Sequence, residues 1–382
     1  MEVLSFLSVP ITSLLVYAVP FIAALTIIVF IHEYGHFQVA RWCGVTVEVF
    51  SIGFGREITG WNDRHGTRWK LCWIPLGGYV KFRGDANAAS QPGAADAENV
   101  PYDPGNFHQK PVWQRAAVVV AGPLANFLLA FVIFAATFMF VGEPVIEPRV
   151  GEVTKGSAAE RAGLQAGDII LQIDGQAIER FGDLQKAVMM RPEEQLVLMI
   201  DRAGSQMLIN ATPALHEEPD GFGGKYRIGR LGITSSAKAA IATKKLGPVE
   251  AVARSGKETW FIVSSTMRYL GKMVTGREKT DQLGGPISIA KAAGDAASLG
   301  PFQFIWIIAF LSVSIGLINL FPIPMLDGGH LVFYAVEALR GKPAGPNVQE
   351  WSFRIGFSLV IMLMLVGTWN DLGRLLNMAI GG

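Results

Sequence analysis

The 382-residue sequence predicts a polytopic α-helical membrane protein of about four transmembrane helices, with an α+β domain inserted outside the cytoplasm. Three observations lead there. Half of the residues are hydrophobic and 17% are charged, too apolar for an ordinary soluble domain of this length. Four stretches (11–31, 116–141, 302–321, and 355–366 with polar flanks out to 376) approach or exceed the roughly 20 residues that cross a bilayer. Between the second and third, residues 143–215 change in character to those of a compact soluble domain. A formal charge of +1 argues against a nucleic-acid binder, which needs a basic stripe or patch. Two cysteines, Cys43 and Cys72, make neither a disulfide framework nor a cysteine zinc site, and suit a reducing cytosolic loop.

The first span is expected over 1–40. Met1-Glu2-Val3 lacks the basic start of a signal peptide, and no small-residue cleavage site follows, so the stretch is read as retained. At its end stands His32-Glu33-Tyr34-Gly35-His36. Residues four apart share one helix face, so His32 and His36 can grip one metal ion, and Glu33 lies where a zinc protease needs its general base. The plainer reading is a pair of structural histidines at a helix end. Ionisable groups at bilayer depth are costly, and this favours function.

Lysine and arginine placement orients the spans. Residues 41–112 form a loop carrying Arg41, Arg56, Arg64, Arg68, Lys70, Lys81, Arg83 and Lys110, and 327–352 carries Arg340 and Lys342. Both loops are expected in the cytoplasm. The second span (113–142), third (301–326) and fourth (353–378) then place both termini and the long middle segment outside, with His32 near the cytoplasmic side.

Within 143–220, Val150–Val153 reads as a strand, Ser157–Leu164 as a short helix ending at a glycine cap, and Gly167–Gly175 as a buried strand closing in an Asp-Gly turn. Leu184 belongs to a second helix, and 196–201 with 207–212 to a last strand pair. The run S-A-A-E-R-A-G-L-Q-A-G-D-I-I-L-Q-I-D-G resembles a bacterial PDZ domain. Such domains bind extended peptides by adding a strand to a sheet edge, which implies a peptide ligand. The carboxylate-binding loop is expected near 149–151; a rigid spacer that binds nothing is the alternative. In 221–300, residues 246–275 mix apolar and charged positions at helical spacing, as in an interfacial amphipathic helix or one packed on the domain. Gly284–Ile289 is a turn leading into a helix. Residues 85–100 are alanine-rich and lack periodicity.

A catalytic zinc needs three protein ligands and an open position. In Asn319–His330, Pro322 and Pro324 break the third span just before Asp327. Broken backbone at membrane depth is tolerated only against protein or a water-filled cavity. Asp327 starts the next helix, at the depth expected for His32, and is also a natural N-cap. His330 competes with it as a ligand by chemistry alone.

HEYGH on the first span, the PDZ-like insert and N-x-x-P-x-P-x-L-D-G on the third together resemble the site-2 protease family of intramembrane zinc metalloproteases, closest to the bacterial regulator-of-sigma-E protease group. Gly53-Phe54-Gly55, Gly77-Gly78-Tyr79-Val80-Lys81 and Gly122-Pro123-Leu124-Ala125-Asn126 are further likenesses. The resemblance implies one zinc ion per chain held by His32, His36 and Asp327, with Glu33 as catalytic base. It implies a membrane-associated β region beside the site, and Asn319, Pro322, Gly77, Gly78, Tyr79 and Val80 as substrate-binding residues. It implies a home in the bacterial inner membrane and single-pass substrates. These are membrane-tethered anti-sigma factors already cut outside, and remnant signal peptides. Two rivals are a non-catalytic scaffold presenting its PDZ domain and a transporter with broken helices. An intact Glu33 argues against the first, and the lack of an inverted repeat against the second.

Overall fold

The apolar runs become helices. In a computed structural model, which describes residues 11–85, 101–219, 225–235, 242–276 and 284–381, the first run is α1 (Ile11–Trp42). There follow β1 (Val47–Asn62), β2 (Arg68–Phe82), α2 (Val112–Ala136), β3 (Glu143–Val145), β4 (Val150–Val153) and α3 (Ala158–Ala162). Next come β5 (Ile169–Ile173), β6 (Gln176–Ala177), α4 (Phe181–Met189), β7 (Leu196–Arg202), β8 (Ser205–Ala211), β9 (Ala214–Pro219) and β10 (Lys225–Arg230). The chain finishes with β11 (Ile233–Ser235), β12 (Ala242–Lys244), α5 (Pro248–Val274), α6 (Pro286–Leu299), α7 (Pro301–Asn319), α8 (Asp327–Arg340) and α9 (Pro346–Gly381). Apart from Asp85, the alanine-rich 85–100 stretch lies outside the described residues.

Four helices are long and apolar enough to cross a membrane: Leu15–Trp42, Val112–Val141, Pro301–Asn319 and Asn347–Leu376. The fourth starts earlier than its apolar run. A proline is pre-organised for a first helical turn, and Glu350 pairs with Arg354 one turn on at 2.6 Å, so the polar flank joins the helix.

The chain divides into two compact units, one comprising Met1–Ala135, Val252–Arg277 and Leu283–Trp369. Here α1 is flanked by α6 and α7. The Gly284–Ile289 turn opens α6, with Pro286 at its start. Gly294 lets α6 lie directly on α1, because a Cβ there would come within 2.3 Å of the Tyr17 ring. Ala24, Ile28 and Ile308 are fully or almost fully buried between α1 and α7.

The long strands β1 and β2 bend and fold on each other. Val49–Ile52 pairs on one side with Gly78–Lys81, running opposite, and on the other with Arg68–Leu71, running in step. Glu57–Asn62 then pairs with Arg68–Cys72. The outer edge at 78–82 has no further strand partner among the described residues. Phe50, Phe82, Phe107, Val118 and Phe37 form one buried cluster that seats this sheet against α1 and α2. On α5, Ala251, Ser255, Glu258 and Ile262 are buried at helical spacing while Trp260 is exposed.

The second unit centres on Ala136–Ala251. Its main sheet has the order β6-β5-β7-β8, and Val150, Ile170, Ile173, Leu184, Leu196, Leu198 and Ile200 fill its core. Asp174 and Gly175 both have positive φ (48° and 79°), as the tight turn between β5 and β6 requires. Ser157 caps α3 by accepting from Glu160 N–H, and Gly163 ends it in the left-handed conformation. The unit extends beyond the expected end at 220. Strand β10 pairs with its neighbour β9, while β11 and β12 return to pair with β4 and β3, a non-local pairing that local patterning does not reveal. The backbone N–H groups of Arg149, Val150 and Glu152 are bonded to Glu147 O, Asp168 O and Thr234 Oγ1, so these three are not free to cradle a carboxylate at 149–151.

Asp168 ties this unit together. It is 1% exposed and accepts from Arg202 at 2.8 and 2.7 Å and from Gln165 N–H at 2.8 Å. Burial pushes its carboxyl up, but the Arg202 and Gln165 bonds outweigh this and hold it below its ordinary value. Its stabilisation is therefore complete above the unfolded value near about 4 and is lost as pH falls through the folded one. Asp168→Ala is expected to cost about 2–3 kcal/mol at pH 7. Hydrogen-exchange protection of β5 and β7 checks this; equal protection in variant and wild type at neutral pH contradicts it.

Candidate metal centre

His32 and His36 lie one turn apart on α1, and their Nε2 atoms face each other at 3.2 Å. Asp327, the first residue of α8, closes the triangle: Oδ2 is 3.1 Å from His32 Nε2, and Oδ1 is 3.5 Å from His36 Nε2. Among the described residues this is the one group of three or more metal-ligating side chains close enough to share an ion. His330, one turn further along α8, lines the same cavity but is outside the cluster.

The donor set fits zinc. Bonds of about 2.0–2.1 Å in tetrahedral geometry place ligand atoms about 3.3 Å apart, and the three edges bracket that value. Asp327 Oδ2 is buried without a hydrogen-bond partner among the described residues, an orphan that a cation would satisfy. Burial pushes the Asp327 carboxyl up, but His36 and His32 overcome it and hold it well below the usual carboxylate range. His36 Nδ1 donates to Val118 O at 2.9 Å, which leaves the Nε2 lone pair facing the cluster.

Local sequence explains the placement of Asp327. The α7 helix ends at Asn319, and the chain turns back through Pro322 and Pro324. Met325 adopts φ 84°, a strained conformation for a side-chain-bearing residue. Gly328 and Gly329 then pack on that turn: a Cβ would sit 2.2 Å from Phe321 O at the first and 2.4 Å from Ile323 O at the second. Arg115 on α2 pairs with Glu337 on α8 at 2.5 Å, both largely buried, and its guanidinium lies 4.9 Å over the Tyr334 ring. Burial pushes the Tyr334 phenol up and His330 down, so both are neutral at pH 7.

A cavity of about 310 Å³ adjoins the cluster, lined among others by His32, Glu33, Asn319, Asp327 and His330. Gly77, Gly78, Tyr79 and Val80 form one wall. The Val80 backbone N–H bonds to the Glu33 carboxylate, away from β1. Phe82 N–H also turns outward, to Asp85 at 3.0 Å, so by alternation the Gly78 N–H and C=O face outward too. Of the ligand, base and substrate-binding residues expected from the sequence, only Pro322 stays off the cavity wall; it is exposed in the turn after α7.

Two residues on α2 were noted in the sequence without a role. Gly122 lies against the cluster: a Cβ there would come within 2.3 Å of His36 Nε2 and 2.9 Å of His32 Nε2. Asn126 is fully buried and faces His32 Nδ1. A polar amide in the middle of an apolar span was the signal available.

A family model described as Peptidase family M50 matches residues 20–363. A protein of Rhizobium meliloti provisionally named a zinc metalloprotease is 47% identical over 363 residues, covering 94% of this chain and 97% of that protein. Another of Agrobacterium fabrum, named the same way, is 45% identical over 94% of this chain and 97% of its own length. Metalloprotease MmpA of Caulobacter vibrioides is 39% identical over 94% of this chain and 96% of that protein.

Helical Gly→Ala changes normally stabilise by about 1 kcal/mol. Gly122→Ala is expected to do the reverse to the cluster, pushing the Nε2 atoms aside and lowering zinc content at least about tenfold by metal analysis. Gly271→Ala, where nothing beyond the adjoining helix backbone lies within 4 Å of the added carbon, is the matched control and should keep its zinc.

Proposed function

The chain belongs to peptidase family M50 and is a zinc metalloprotease of the site-2 type, and we propose that it cuts peptide bonds within the membrane-spanning segments of single-pass membrane proteins. One observation carries this reading. The His32–His36–Asp327 cluster is built at the ends of apolar spans, beside a cavity walled by a strand edge that is unpaired among the described residues. A protease acting on soluble peptides has no need to place its ligands there.

His32, His36 and Asp327 are the zinc ligands in this reading, and Glu33 is the general base. Bound there, zinc lends Lewis acidity to the scissile carbonyl and the attacking water. Glu33 removes a proton from that water and delivers it to the leaving amine, with the Val80 N–H holding its carboxylate in place. A transmembrane helix hides its amides in its own hydrogen bonds, so the substrate must unwind before it is cut. Gly78, through its N–H and C=O, and Val80, through its C=O, present the backbone groups to which an extended segment pairs, and Gly77 and Tyr79 flank them. Asn319, at the end of α7, offers a carboxamide to the substrate backbone on the opposite wall. Pro322 ends α7 and keeps the turn beside the cavity open.

The basic loops place this site on the cytoplasmic side of a bacterial inner membrane, with the second unit and both termini outside. The second unit acts as a PDZ domain that screens substrates by size or by their exposed ends. Its substrates are tethered regulators, such as anti-sigma factors, already shortened outside, together with remnant signal peptides.

The test is cleavage of a single-pass reporter helix in membranes. Glu33→Gln should lower the rate by at least about 100-fold while zinc content stays equal to wild type. Chelation should stop the wild type and added zinc restore it, and a helix-breaking pair near the reporter's cut site should speed it. Cleavage by Glu33→Gln at the wild-type rate would remove Glu33 as the base.

A further inference from the structure

The two histidines present the same nitrogen to the cluster, but their other nitrogens are held differently. His36 Nδ1 faces a carbonyl, Val118 O at 2.9 Å, which can only accept, so the proton sits on Nδ1 and the lone pair on Nε2. His32 Nδ1 faces the Asn126 carboxamide at 3.2 Å, with the amide nitrogen toward the ring. An NH₂ group there makes Nδ1 the acceptor and puts the ring proton on Nε2. A protonated Nε2 has no lone pair for a metal; it would instead donate to His36 Nε2, 3.2 Å away.

The other end of the same carboxamide resolves this. Asn126 Oδ1 is buried and has no hydrogen-bond partner among the described residues. A half-turn of the amide exchanges oxygen and nitrogen in nearly the same space. The oxygen then accepts the proton of His32 Nδ1, and both imidazoles hold the same tautomer with both Nε2 lone pairs on the cluster. Ligating histidines generally donate their second N–H to an acceptor of this kind, which fixes the ring and raises its basicity.

We propose that Asn126 is a positioning residue for the metal: its carboxamide oxygen accepts Nδ1–H of His32 and locks that ring in the ligating tautomer. The proposal rests on the zinc-site reading above. Asn126 is well held for this work. It is 0% exposed, and its backbone carbonyl accepts from Ser312 Oγ of α7 at 2.9 Å. Gly316, also on α7, packs on it: a Cβ there would come 3.2 Å from Asn126 Cβ. The rival role is glue between spans, which buried asparagines also perform. The two roles differ in what the side chain must offer. Glue uses donor and acceptor alike; the tautomer lock uses only the acceptor.

Zinc affinity of the full-length protein in detergent, measured by competition with a chromophoric chelator, separates them. Asn126→Leu keeps the volume and loses the acceptor. Asn126→Asp keeps the acceptor and loses the donor. The expected result is zinc binding weakened about 10–100-fold in Asn126→Leu, and within about threefold of wild type or tighter in Asn126→Asp. Equal losses in both variants, or full affinity in Asn126→Leu, overturn the proposal. If Asn126→Leu does not fold, a folded Asn126→Asp that binds zinc at least about tenfold more weakly overturns it alone. A wild type that binds no zinc overturns the zinc site itself, and this proposal with it; a wild type with one zinc and two equal losses overturns the proposal alone.

Discussion

Everything at the cluster depends on how closely α1 and α2 approach. Between helices in a bilayer there is no water to expel, so association relies on small residues that let backbones touch. Gly35 supplies one such point: a Cβ there would lie 2.4 Å from Ala121 O. Gly122 supplies the other, against the two imidazoles. With the helices this close, one face of α2 meets one face of α1 at matched spacing. Val118, Gly122 and Asn126 are four residues apart, as are His32 and His36. Since the two helices run in opposite senses, Val118 reaches His36 and Asn126 reaches His32. A helix that offers no ligand therefore sets the orientation of two.

The third member must come from elsewhere, and the chain reaches it by breaking a span. Prolines end α7, two glycines let α8 start tight against the turn, and Asp327 lands at the helix start. The Arg115–Glu337 pair then fixes α8 to α2. A buried ion pair is weak evidence for stability, because desolvation offsets most of its attraction. Its better-attested use is to specify one arrangement over others, and α8 needs that: a shift of one turn would bring His330 where Asp327 stands.

How much of this was legible in the sequence follows from which interactions are local. His32, Glu33 and His36 sit within five residues, and their types and spacing suffice to suggest a metal. Asp327 could be named because prolines at the end of an apolar run signal a break, and because two histidines with one carboxylate already complete a catalytic set, which ranks His330 behind it. The long strands hid more. Val49–Ile52 has partners on both sides that are 19 and 26–32 residues away in sequence, and no alternation pattern reports such a fold-back. The second unit was cut short for the same reason, since its closing strands pair with segments some 80–100 residues earlier. Asn126 and Gly122 were visible as residues but not as neighbours of the histidines, because nothing in one helix tells which face another helix will meet.

The site thus rests on two separate supports. The Nε2 atoms of His32 and His36 are aimed by α2, through Val118 O, Asn126 and the absence of a side chain at Gly122. Glu33 is on the same helix as the histidines but is answered from the other side, by the Val80 N–H of the sheet. A residue one step round the helix points about 100° away, so α1 cannot aim both groups through one neighbour. Changes in α2 reach the two imidazoles without touching Glu33, while changes along 77–80 reach Glu33 and the strand edge without touching the imidazoles. Damage to the sheet side should therefore lower turnover with zinc retained, whereas damage to α2 lowers zinc content and turnover together. That one-way separation is what a site assembled from a helix pair and a folded-back sheet provides, and a site carried on a single helix lacks it.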